Sequence, residues 1–283
     1  MKADHNSGLP LFGLIDGAAH YPLIHDVLTA SGARFLSVFA GMPEEALGAA
    51  SFFVFEIDDP AVPWVTELDR ADEHLPCLSL IRSRVGLEDM ATHLRAFLLA
   101  DMGDGMTALI RYYDPRNIEA VLKAWGEPVQ RIFMSPIQQW LYRGRHPAWQ
   151  SVLNDSADDA RICKSLHLRF DQAELDALAA HTEPDEVLHS LIKNEFVDGT
   201  RPYLTRFSDF LPRYRQALNW GLAQPADRLQ FCEHTYLYGP EFDRHPYVQE
   251  SLLQRKANGR SYEAAMQKLP GNVWTELASK DWR

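Results

Sequence analysis

Histidines set near acidic or thiol side chains are the residues in this chain whose types could do chemistry. Glu186 and His189 stand three apart in a stretch of helical periodicity, which puts both on one face. Four-helix bundles hold a di-iron centre with that spacing, but they need a second Glu-x-x-His and two further carboxylates. The sequence has no second copy. Cys232 with His234, or Cys77 with His74, would offer a thiol beside a base. Neighbours two apart on a helix diverge, however, and Pro76 constrains the second pair. A Gly-rich loop followed by Lys-Ser/Thr, a dinucleotide fingerprint and a Gly-x-Ser-x-Gly elbow are all missing from the sequence. These spacings assemble no convincing catalytic or metal-binding set.

A second cluster points to recognition. Gln138–Trp149 concentrates Trp, Tyr and Arg, the side chains enriched at interface hot spots. Trp140, Tyr142, Arg143, Arg145 and Trp149 are therefore candidate partner-binding residues. The competing reading packs Trp140 and Tyr142 at a seam between lobes. Under either reading, Arg143 and Arg145 are expected at a rim.

Composition narrows the partners. The 283 residues carry 39 Asp/Glu against 28 Lys/Arg, a net charge of −11. That balance argues against nucleic acid, which attracts basic surfaces. No uncharged apolar stretch approaches the roughly 18–20 residues of a membrane span. The Met1–Asn6 segment lacks a signal-peptide core, so a cytoplasmic location is expected. Cys77, Cys163 and Cys232 are too scattered for a disulfide framework or a paired-thiolate zinc site.

Two halves with different patterning must position these residues. Up to about residue 145, apolar runs at Leu11–Ile15, Arg34–Phe39, Ser51–Phe55 and Cys77–Ile81 read as strands. Helices are expected from Pro22 (with Leu23, Ile24, Val27 and Leu28 on one face), over 61–70, and over Leu87–Leu98. In the last, Leu87, Met90, Ala91, Leu94, Phe97 and Leu98 form the stripe, and Glu88, Asp89, His93 and Arg95 fall off it. Asp104-Gly105 should turn the chain into a strand over Met106–Tyr113. Asp114 is then placed to cap the next helix, with Pro115 in its first turn. Asn154–Asp159 reads as a polar linker. Beyond it, Phe170–His181, Pro184–Phe196, Tyr203–Trp220, Ala226–Tyr238 and Pro246–Leu269 read as helices, with Glu183-Pro184-Asp185 as a breaker. The expected fold is an α/β (α+β) N-terminal lobe over 1–150 followed by an all-helical lobe over 151–283.

Five segments of the first half also resemble, in order, a known family. They are Leu14–Ala18; Leu36–Pro43; the helix with His93-Leu94-Arg95; Leu109–Arg116, containing Arg111-Tyr112-Tyr113-Asp114-Pro115; and Phe133–Ile137 followed by Trp140. Together they are similar to the N-terminal domain of the effector chaperones, or adaptors, of bacterial type VI secretion systems. The family usually has a proline where this chain has Ser51. The resemblance implies a non-catalytic, cofactor-free loading factor. Its implied partners are a cognate secreted effector and a VgrG-type spike. Asp16, Gly17, His93, Arg95, Arg111, Asp114 and Pro115 would be its scaffold residues, and we expect Arg111 or Arg95 to pair with Asp16 or Asp114. Rival readings are a hydrolase or metalloenzyme with a site assembled from scattered His, Asp and Glu, and a structural subunit of a larger assembly.

Overall fold

Apolar runs without alternation, such as Leu11–Ile15 and Phe52–Phe55, can sit only in a sheet covered on both faces. The computed structural model, which describes residues 8–103, 105–154 and 160–279, contains such a sheet. Asp104 of the expected turn, residues 155–159 of the expected linker and the Met1–Asn6 segment lie outside the described residues.

In the first unit, β1 (Leu11–Asp16), β2 (Phe35–Ser37), β3 (Phe52–Glu56), β4 (Leu78–Ser83), β7 (Ile137–Tyr142) and β8 (Gln150–Leu153) form one sheet in the order β2-β3-β1-β4-β7-β8. Every neighbouring pair is antiparallel. The period-two alternation of side chains then divides the core. Leu11, Ile15, Phe53, Phe55, Leu78 and Leu80 face α1 (Leu23–Ser31) and α2 (Pro63–His74). Phe12, Leu14, Phe52, Val54, Ile81 and Trp140 face α3 (Leu87–Arg95) and α4 (Ile118–Met134). A smaller sheet, β6-β5-β9, joins Met106–Leu109, Leu99–Gly103 and Leu168–Arg169.

The α3 stripe is buried as its periodicity predicts, but His93 is buried with it. Leu23, expected on the apolar face of α1, is exposed. The expected strand over Met106–Tyr113 stops at Leu109, and Arg111–Asp114 is a turn closed by Asp114 N–H donating to the Arg111 carbonyl at 3.2 Å. A strand would send Tyr112 and Tyr113 to opposite faces; the turn buries both rings.

The compact division falls between His181 and Thr182, within α5 (Gln172–Lys193). Pro184, expected to break the chain, lies inside this continuous helix, so one i→i−4 bond is forgone there. The second unit continues with α6 (Tyr203–Asn219), α7 (Pro225–Tyr238), α8 (Pro246–Asn258), α9 (Tyr262–Met266) and α10 (Gly271–Ser279). The single helix expected over Pro246–Leu269 is two, broken after Asn258, with the Ser261 hydroxyl accepting from Ala264 N–H at 3.2 Å to cap α9. Phe231, Phe242, Leu252, Tyr262 and Val273 centre its core. A mixed lobe followed by a helical one is thus the fold the patterning predicts.

Candidate functional site

β1 ends at Asp16 because the chain must turn: Asp16 Oδ1 accepts from Ala18 N–H at 3.0 Å. The next residue, Gly17, donates its N–H to the Ser51 carbonyl at 2.8 Å, and a Cβ there would stand 2.6 Å from that same oxygen. Only glycine allows this approach, which ties the end of β1 to the start of β3. Ser51 itself donates N–H to Gly48 O at 3.1 Å and shares a 2.5 Å hydroxyl bond with Ser37. Proline could make neither bond, so the departure from the family pattern is locally compensated.

Four charged residues close this strand end. Arg111 donates to Asp16 Oδ2 at 2.7 Å and stands 3.9 Å from Asp114. Asp114 accepts from Arg116 N–H at 3.0 Å, and from its guanidinium at 2.9 and 2.7 Å. Asp114 therefore serves the turn and does not cap α4, whose N-cap is Asn117. Burial opposes the charged form of Asp114, yet Arg116 and Arg111 hold its carboxyl below its ordinary value. Arg111 also lies 5.8 Å over the Tyr113 ring, which stacks on Phe52 at 4.4 Å. Arg95 makes no such pair among the described residues; its Nε donates to the Val38 carbonyl at 2.8 Å. Both carboxylates are filled by donors, so this geometry is a clamp and neither is poised as a base.

Arg111→Met is expected to lower stability by about 1 kcal/mol, because the guanidinium is half exposed while Asp16 would lose its counter-ion. Denaturant melts of wild type and variant would measure it. A loss indistinguishable from zero would mean the clamp contributes nothing.

The two other scaffold positions act at a distance from the clamp. His93 Nε2 donates to the Phe133 carbonyl at 2.8 Å, and its Nδ1 accepts Cys163 N–H at 3.0 Å. Pro115 meets the exit of β7: Gly144 has φ 55°, and a Cβ there would be 2.5 Å from Pro115 O.

The Trp140–Trp149 cluster is largely interior. Trp140 is fully buried, with its indole N–H on Ser79 Oγ at 3.0 Å. Tyr142 is buried and donates to Glu119 at 3.1 Å. Arg143, expected at a rim, is only 11% exposed; it bridges Asp69 and Asp72 and lies 4.7 Å over Trp149. Arg145 donates to the His181 carbonyl at 2.7 Å, and His181 in turn reaches Arg116 O at 2.7 Å. Trp140 and Tyr142 thus pack the first unit's own core, as the competing reading had them buried, though within one unit and not at a seam. They resist sequence assignment because interfaces and cores favour the same aromatic residues.

Asp72 and Arg116 are the partners that sequence reasoning missed. Asp72 could have been found: it falls on the α2 stripe with Val65 and Leu68, where a carboxylate must have a partner. Glu186 and His189 are both exposed on α5, and no group of three metal-ligating side chains occurs among the described residues. All three cysteines are free thiols, with Cys77 and Cys232 buried. No described helix is long and apolar enough to cross a membrane.

Residues 11–131 match the model of a domain of unknown function, DUF4123. The match spans the clamp, Gly17, His93 and Arg95, and stops within α4. No curated protein and no solved structure matches the chain.

Proposed function

We propose, from a chain whose residues 11–131 carry a domain of the family known as the type VI secretion effector adaptor or chaperone domain, that the protein binds a cognate secreted effector. It does so in the cytoplasm of the producing cell and helps mount the effector on a VgrG-type spike. The family match carries this reading. The clamp supports it, since filled carboxylates suit a rigid scaffold better than acid–base work. The adaptor acts without catalysis and without a cofactor. The helical unit from Thr182 onward lies outside the family match and supplies effector specificity.

Co-expression tests the reading. An effector encoded beside this protein should be recovered soluble and bound when the two are made together, and poorly soluble when made alone. An effector that is equally soluble alone, and passes a column of this protein unretained, would overturn it.

A further inference from the structure

The chain's negative charge is unevenly shared. Residues 182–283 hold 13 Lys/Arg against 14 Asp/Glu, so nearly all of the net −11 resides in residues 1–181. Within the near-neutral helical unit, a cleft of about 430 Å³ opens between the α6–α7 connection and the α8–α9 break. Gly221 and Gln224 line one side, and Arg255, Lys256 and Arg260 the other.

Arg255 is buried at 7% exposure and, among the described residues, is held by backbone oxygens. Its guanidinium donates to Trp220 O at 2.9 Å, Gly221 O at 3.1 Å and Arg260 O at 3.3 Å. Among the described residues its Nε has no hydrogen-bond partner. Among the described residues, none of Arg255, Lys256 and Arg260 has a carboxylate within ion-pair distance. Asp227 also lines the cleft, but its Oδ1 accepts Tyr262 N–H at 3.1 Å. The helix dipole favours cations in the last turn of α8, which accounts for Lys256. It does not account for a buried guanidinium held by carbonyl oxygens with no carboxylate within ion-pair distance among the described residues, a charge that an anion at the cleft would balance.

We propose that this cleft binds a carboxylate-bearing segment of a protein partner, with the pre-positioned Arg255 at its floor and the exposed Lys256 and Arg260 at its mouth. Three cations lining a cleft of about 430 Å³ suit a short acidic segment, and nucleic acid is a separate outcome of the test. The proposal rests on the adaptor reading only for the partner's being a secreted protein.

Fluorescein-labelled hexaglutamate, titrated into the full-length protein and followed by anisotropy, tests it. Hexaglutamine, inorganic phosphate and single-stranded DNA of equal charge are run beside it. Hexaglutamate should bind best, more weakly as salt rises. The double variant Lys256→Gln, Arg260→Gln, exposed and outside the core, should weaken it about tenfold. The inference fails if the variant binds equally well, or if hexaglutamine binds as well as hexaglutamate. It also fails if phosphate or DNA is preferred. Because the probe is not the effector, failure here is separable from failure of the adaptor reading, which co-expression judges with the intact chain.

Discussion

Asp72→Ala is expected to destabilise the protein by about 2–4 kcal/mol, chiefly the cost of leaving two buried N–H groups without their acceptor. Asp72 joins three pieces of chain. Its Oδ1 accepts Cys77 N–H and Leu78 N–H, both at 2.8 Å, at the entry to β4. Its Oδ2 accepts from Arg143 Nε at 2.7 Å, just beyond β7. Burial pushes the carboxyl above its ordinary value even with Arg143 beside it, so desolvation outweighs what the partners return. Alanine would strand two buried N–H groups and leave Arg143 to Asp69 and Glu73. Asp69→Ala is the control: Asp69 is more exposed, Arg143 keeps Asp72, and about 1 kcal/mol or less should be lost. Urea melts of the three proteins would measure this. Equal losses from the two variants would show that Asp72 has no special place.

Acid should weaken the fold through His93. Burial lowers its pKa from 6.5 to about 4. The neutral ring also fits its partners, with one nitrogen donating to Phe133 O and the other accepting from Cys163 N–H. Protonation would turn that acceptor into a donor facing a donor. With the folded pKa below the unfolded one, the unfolded chain binds the proton first. The stabilisation is therefore complete above about pH 6.5, falls between pH 6.5 and 4, and loses nothing further below. At about 1.4 kcal/mol per unit, the full loss is about 3 kcal/mol. His234, also held at about 4 by burial, titrates in the same window. The discriminating measurement is thus the stability gap between wild type and His93→Leu, in which His234 cancels. That gap should narrow as pH falls from 7 to 4. A gap constant across the range would remove His93 as the acid-sensitive group.

Local periodicity told most of the architecture. The unbroken apolar runs of β1 and β3 mark strands covered on both faces, and the Leu87–Leu98 stripe marks α3, because these patterns depend only on neighbours along the chain. Strand β7 was not legible: Ile137, Trp140 and Tyr142 are buried while Gln138 and Gln139 are only half-buried, a spacing that neither period matches cleanly. Nor was the turn at Arg111, since Arg-Tyr-Tyr has good strand propensity and only the core's position rolls both rings inward. At the candidate site, the types Asp16, Arg111 and Asp114 were legible, and so was the pairing of Arg111 with an aspartate.

What the sequence determined by itself was the mixed-then-helical order of elements, and a family resemblance carried by five short segments in the first half. The tertiary structure alone decided that the sheet is antiparallel, that Trp140 and Arg143 face inward, and that His93 bridges two segments. It alone set Arg255 beside a cleft with no carboxylate within ion-pair distance of it among the described residues. The physical reason is that periodicity reports which face of an element avoids water. It carries no information on which distant residue will meet that face, and a buried charge is defined by that meeting.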